Sequence, residues 1–160
     1  MVMFRPMRRN KQEVSEETCR EILKNEKRAV LSVIGDEGYP YAVPVDFYYD
    51  EEEDLIYLHG AREGHKIDAI RASDKVCFTL WGKEEKPEDD WAYFVTSVII
   101  FGRAELVKDE EIILDKTRKI GLKYYPSREE VEDEIKKAIS RVQLIRIRIE
   151  HMSGKRVHEK

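Results

Sequence analysis

Cysteine is nearly absent from this chain: Cys19 and Cys77 are its only two, and their spacing suits no metal. Two thiols among 160 residues exclude a disulfide scaffold and fit a reducing compartment, so a cytoplasmic protein is expected. No apolar run approaches the roughly 20 residues that cross a bilayer. The early charges are not followed by an apolar segment, so no secretory signal is expected. Charge of one sign is also missing: 33 acids stand against 29 bases, and a net charge of −4 argues against nucleic acid as a partner. The short basic stretches Arg8-Arg9 and Lys155-Arg156 read as solvated segments. Phosphate signatures of the P-loop and dinucleotide kinds are lacking, and so is a nucleophile elbow. His59 and His65 have no third ligand at convincing spacing, so no metal is expected.

What is present is 41% apolar and 39% charged, the composition of a globular protein with a heavily charged surface. Residues 1–160 read as a single domain, since the length suits one core and not two. Ser15 caps a helix running to about Asn25. Arg28 to Ile34 alternates as a strand, and Gly35-Asp36-Glu37-Gly38 is its turn, with the glycines supplying positive φ. Tyr39 to Tyr49 is the next strand, interrupted by Pro44, which cannot donate to a ladder and so belongs at an edge, a bulge or a break beside a ligand. Leu55 to His59 is a third strand, and His65 to Ala72 a short helix with Ile67, Ile70 and Arg71 inward. Val76 to Trp81 and the long Tyr93 to Val107 follow, the latter with a bulge or close approach at Gly102. Two helices carry apolar stripes through Ile113, Thr117, Ile120 and Tyr124, and through Val131, Ile135, Ala138 and Ile139. Gln143 to Ile149 is the last strand, with His151 and His158 on a tail. Six strands with helices around them predict a mainly β, antiparallel barrel with α-helical decoration.

The segment richest in chemistry is Leu55-Ile-Tyr-Leu-His-Gly-Ala-Arg-Glu-Gly-His-Lys66. A strand ends, a glycine-flanked loop follows, and a helix begins near Gly64. Helix N-termini present free N–H groups to phosphate, and Arg62, His65 and Lys66 add donors around the same turn. A solvated basic loop would read the same way. His59 is either a ligand contact or a satisfied side chain at a strand end.

These stretches resemble the FMN-binding split barrels related to pyridoxamine 5'-phosphate oxidase, in particular the nitroimidazole-resistance-like branch. The matching residues are Met7-Arg-Arg9, Ala29-Val-Leu-Ser32, Gly38-Tyr-Pro-Tyr-Ala-Val-Pro-Val45, Ile56-Tyr-Leu-His-Gly-Ala61 with Gly64-His-Lys66, Val76-Cys-Phe78, and Thr96 to Ala104. The resemblance implies a homodimer with two FMN molecules at the interface. It sets Val43, Pro44 and Val45 along the flavin ring, His59, Gly60 and Ala61 at the ring edge and ribityl chain, and His65 with Lys66 at the phosphate. An Arg-Lys pair is usual at this last place in the wider family, so His65 is a departure that makes phosphate affinity pH-dependent. Counterparts of the vitamin-binding residues are not evident. The implied activity is oxidoreduction of a small molecule, a nitroaromatic or related acceptor, with NAD(P)H as a possible donor and His59 as the candidate catalytic side chain. The other readings are a non-catalytic flavin-binding or sensing module, and a split barrel that holds haem or a deazaflavin coenzyme.

Overall fold

A computed structural model describes residues 3–160. Its elements run β1 (Glu13–Val14), α1 (Glu16–Asn25), β2 (Arg28–Ile34), β3 (Pro40–Asp46), β4 (Tyr48–Asp50), β5 (Leu55–Ala61), α2 (His65–Ala72), β6 (Lys75–Trp81), β7 (Phe94–Val107), α3 (Glu110–Tyr124), α4 (Arg128–Ala138) and β8 (Val142–His158). Every strand pairing is antiparallel, in the order β3-β2-β6-β7-β8-β5-β4, with β1 added against β8. The two ends of that order, β3 and β4, are consecutive in the chain and separated only by Phe47. A sheet whose ends are joined through one residue must curl on itself, and this makes the fold a split barrel rather than a flat sheet.

The sheet has eight strands where six were expected. One extra strand is β1, too short to read from two residues. The other arises because Tyr39 to Tyr49 is not continuous. Phe47 is fully buried and its backbone leaves the ladder there, splitting the stretch into β3 and β4. Pro44 lies opposite Val30 in unbroken register on edge strand β3, so of the three placements open to it the edge applies.

The expected tail is also strand. β8 runs 17 residues, and Phe101 pairs with His151 while Phe94 pairs with His158. The alternation stops being legible after Ile149 because the β7–β8 register shifts between Phe101 and Gly102, which changes the phase of burial. Gly102 is the predicted close approach: a Cβ there would sit 2.5 Å from the Arg148 carbonyl oxygen. Of the two glycines in the 35–38 turn, Gly38 takes positive φ (75°) and Gly35 does not; the other positive-φ position is Glu37 (57°). Arg71, expected inward, is exposed and reaches Asp68.

The barrel core is built from alternate residues of the strands, including Leu31, Ile56, Leu58, Phe78, Ile100 and Ile147, closed at one end by Cys19 and Leu23 of α1. A second, smaller cluster of Tyr57, Val107, Ile120 and Leu144 lies on the outer face of the sheet beneath α3. Lys116 of α3 is buried beside it, held by Asp50 (2.8 Å) and Glu53, with its ammonium 4.8 Å from the Tyr57 ring centroid. Burial opposes the Lys116 charge, but the two carboxylates outweigh it and raise its pKa.

The helix α3 also serves the break at Phe47. The Phe47 N–H donates to the Tyr124 hydroxyl at 2.9 Å, and that hydroxyl faces the carbonyls of Lys27 (2.6 Å) and Phe47 (2.9 Å). Lys123 Nζ donates to the carbonyls of Glu26 (2.6 Å) and Phe47 (2.9 Å) and lies 3.9 Å from the Phe47 ring centroid. Burial pushes the Lys123 pKa down to about 8, against the pull of Asp46 and Glu26. Tyr124→Phe leaves a buried N–H without its acceptor, which costs about 1–3 kcal/mol. Urea unfolding should show the midpoint falling with the slope unchanged; an unaltered midpoint would mean that the seam is served by other groups.

Candidate functional site

The turn between β5 and α2 is shaped by small residues. Gly64 precedes α2 with φ 136°, a conformation that favours glycine, and no side chain caps the helix. The first-turn N–H groups of α2 therefore face outward free of a side-chain acceptor. Lys66 folds back over the end of β5: a Cβ on Gly60 would meet its Nζ at 3.0 Å. Lys66 is half-buried and makes no ion pair among the described residues, and Arg62 beside it is exposed and likewise unpaired. Free helix N–H groups, an unpaired lysine and a glycine that leaves it room are grouped at this turn, a set of donors whose chemistry suits an anion.

His65 is placed differently from its neighbour. Its Nε2 accepts from the Asp36 N–H at 3.1 Å, and its ring lies 4.2 Å from that of Tyr41, centroid to centroid. An imidazole that accepts at Nε2 carries its proton on Nδ1, so one donor remains for a ligand. The first duty of His65 is to hold the β2–β3 turn against α2. Gly35 permits this contact, since a Cβ there would stand 2.8 Å from Nε2. Asp36 and Tyr41 were missed as partners of His65 because the turn and the helix are 29 residues apart, and only the curl of the sheet brings them together.

On β3 the three predicted residues divide. Val45 is buried and Val43 packs against the barrel core, whereas Pro44 is exposed on the outer face. The side chains of Val43 and Val45 thus support the strand, and what they offer a ligand is the backbone edge that β2 leaves unpaired. Ala61 is exposed at the end of β5, opposite Val142.

His59 and Gly60 are adjacent, so their substituents point to opposite faces of β5. Gly60 faces Lys66. His59 shares its face with Tyr57 and opens on a pocket of about 250 Å³ between β5 and the α3–α4 hairpin. Its ring is exposed at the mouth yet crowded by protein. Loss of solvent lowers its pKa below the ordinary 6.5, opposed by the Asp46 carboxylate and assisted by Lys66. Asp46, Thr117 and Tyr124 also line the pocket, and none was singled out for chemistry from the sequence. Their spacing along the chain carries no such signal; Thr117 and Tyr124 read only as part of a helix stripe.

Residues 15–156 match the family described as pyridoxamine 5'-phosphate oxidase. No curated protein matches the chain. Among solved structures, a candidate 5-nitroimidazole antibiotic resistance protein from Bacteroides thetaiotaomicron superposes with a TM-score of 0.76 at 22% identity, over 91% of this chain and 87% of that one. The flavocytochrome Anf3 from Azotobacter vinelandii gives 0.75 at 23%, over 94% and 71%. An FAD-binding protein from Mesorhizobium loti gives 0.66 at 20%, over 92% and 96%. At these identities the structures speak for the fold alone, and they agree on the split barrel. With a family match spanning α1 to the end of the sheet, the chain belongs to the pyridoxamine 5'-phosphate oxidase family.

Proposed function

We propose that this chain is an FMN-binding oxidoreductase of small molecules, with the flavin phosphate in the β5–α2 cradle. The observation that carries the reading is the unpaired Lys66 folded over Gly60 at the open N-terminus of α2. Flavin-binding split barrels among the similar structures support it. Lys66 supplies charge to the phosphate, the His65 Nδ1–H a second donor, and the first-turn N–H groups of α2 the rest. The free edge of β3 at Val43, Pro44 and Val45 presents backbone donors and acceptors to the ring, and Gly60 and Ala61 leave room for the ribityl chain. Bound FMN would supply two-electron redox chemistry between a reduced nicotinamide and a small acceptor. His59, exposed at the end of the same strand, orients the acceptor or gives it a proton.

The dimer has a surface available. On the outer face of β2, β6 and β7, Ile34 (53% exposed), Trp81 (54%), Ile99 (39%) and Phe101 (42%) are exposed apolar side chains, Ile99 and Phe101 lying in neighbouring rows and Phe4 stacking on Phe101. Cross-strand register brings Ser32, Cys77, Phe101 and His151 into one row of that face, and Val30, Thr79, Ile99 and Ser153 into the next. Exposed apolar side chains of this kind favour association, and a two-fold dimer through this face would cover them once from each side and generate two equal sites. Light scattering at micromolar concentration should give twice the 18.9 kDa chain mass. A stable monomer would sink the dimer.

Lys66→Ala should weaken FMN by about one to two decades, the loss of one charge-assisted contact of roughly 1.5–3 kcal/mol. Riboflavin, which has no phosphate, should be indifferent to the change. Equal weakening of both would assign Lys66 to the fold. The absorption spectrum of the purified protein separates flavin from haem or a deazaflavin, and NAD(P)H-driven turnover separates an enzyme from a flavin-holding module.

His59→Asn should remain folded, dimeric and yellow while the pre-reduced protein passes electrons to a nitroaromatic acceptor 100- to 10,000-fold more slowly, the usual range for general acid catalysis. Because its folded pKa lies below 6.5, the protonated form accumulates only on the acid side. The wild-type rate should therefore rise as pH falls through that lowered value, and the variant should lose this limb. Identical pH profiles would leave His59 a structural side chain.

A further inference from the structure

The turn between β2 and β3 closes largely on itself. The Gly35 N–H donates to the Tyr39 carbonyl (2.8 Å), that of Gly38 to the Gly35 carbonyl (3.2 Å), and that of Tyr39 to the Asp36 carbonyl (3.1 Å). The Asp36 N–H takes no part in this set. Its acceptor among the described residues is Nε2 of His65, on the first residue of α2. The Asp36 carboxylate stands 3.7 Å from the same nitrogen and is well exposed, so the backbone N–H makes the contact and the charge adds little. The Tyr41 ring, tilted by 36° against the imidazole, holds it from the strand side.

This one imidazole joins two elements that otherwise have separate supports. β3 has β2 on one side and no strand on the other, and a ribbon with a free edge twists more readily than a strand paired on both sides. The N-terminus of α2 carries Lys66, bonded directly to His65, and its own first-turn bond runs back to Gly64. Val43, Pro44 and Val45 continue the strand that leaves the turn, so the tether at Asp36 sets where they lie relative to Lys66.

We infer that His65 is a positioning residue: it holds the free edge of β3 and the Lys66 end of α2 at one separation, so that a ligand spanning both gains from the contact and a ligand touching one does not. That the spanning ligand is FMN rests on the flavin reading above; the tether itself does not. Without the tether the two subsites shift against each other, and a bridging ligand must order them as it binds. With it, that ordering is complete when the chain folds. The gain cannot exceed the worth of the contact, roughly five-fold in affinity for one neutral hydrogen bond.

Asp36→Pro tests this by deleting the N–H and leaving the His65 side chain in place. Asp36 opens a short 3-10 turn and Gly35 before it is extended (φ −87°, ψ −166°), the conformation a residue preceding proline adopts. The probes are FMN, which spans both subsites, and inorganic phosphate and lumiflavin, which each reach one; amide NMR shifts follow all three. Asp36→Pro should weaken FMN roughly five-fold and leave phosphate and lumiflavin unchanged. Asp36→Asn, which keeps the N–H, should leave all three unchanged. In a His65→Ala background Asp36→Pro should have no further effect, because the cycle removes a contact already lost. Without any ligand, the Asp36 amide should exchange slowly in the wild type and fast in His65→Ala. Should Asp36→Pro fail to fold, Gly35→Ala replaces it, since its Cβ would stand 2.8 Å from Nε2 and push the ring away. Unchanged FMN affinity in Asp36→Pro would overturn the inference. So would phosphate weakened as much as FMN, or an Asp36 amide that exchanges freely in the wild type. A protected amide in a protein that takes phosphate but no FMN would uphold the tether and remove the flavin reading instead.

Discussion

The fold turns on the hydrogen bonds made at Phe47. There the chain leaves one end of the sheet and begins the other, so its backbone N–H and C=O have no strand to pair with. A buried peptide group without partners costs as much as several ordinary contacts yield. Tyr124 answers the N–H, and Lys123 and Tyr124 answer the carbonyl, both from the last turn of α3. The barrel therefore depends on a helix that lies more than 70 residues further along the chain, as the sequence separations of 76 and 77 in these bonds show. The Lys116 cluster anchors the same helix one face earlier, against Asp50 and Glu53 at the β4–β5 turn. Charged groups this deep add little net stability against apolar replacements, but losing one partner is expensive, so they fix where α3 sits.

From that placement the candidate site follows. With α3 held at the seam, α4 packs back on it and roofs the outer face of β5. The strand then has two unlike surroundings: the α2 turn and Lys66 on the side of Gly60, the roofed pocket on the side of His59. The period-two alternation of a strand is what assigns them. A one-residue slip of β5 against β8 would exchange these faces, and the buried run Ile56-Tyr57-Leu58, packed on both sides of the sheet, prevents it.

Much of this was legible in the residues. Ser15, the alternation in β2 and the small residues around α2 located their elements to within a residue or two, because caps and strand periods are local signals. The resemblance reached the right family from short stretches between residues 7 and 104. What could not be read was anything decided by closure. Phe47 looks like one more apolar residue on the inner face of a strand, and nothing nearby announces a break. His65 reads as one donor of a basic turn, and that Asp36 and Tyr41 also engage it from across the sheet is not written in its neighbours. The second half of β8 is polar and read as a tail; its partners on β7 supply the regularity that its own side chains do not show. The pocket is the furthest from local view, since Asp46, His59 and Thr117 come from β3, β5 and α3.

The arrangement also sorts charge in a chain that is acidic overall. Half-buried Lys66 and exposed Arg62 stand without ion-pair partners among the described residues at the β5–α2 turn, while the pocket on the reverse face is lined by Asp46 and Glu134, which pair with Arg28 and Lys137. His59 lies between them, close enough to Lys66 and Asp46 for each to move its pKa, the lysine downward and the aspartate upward. Its proton affinity thus registers the balance of the two faces. Loss of solvent is the larger influence, so the imidazole is hardest to protonate where the α3–α4 hairpin crowds it.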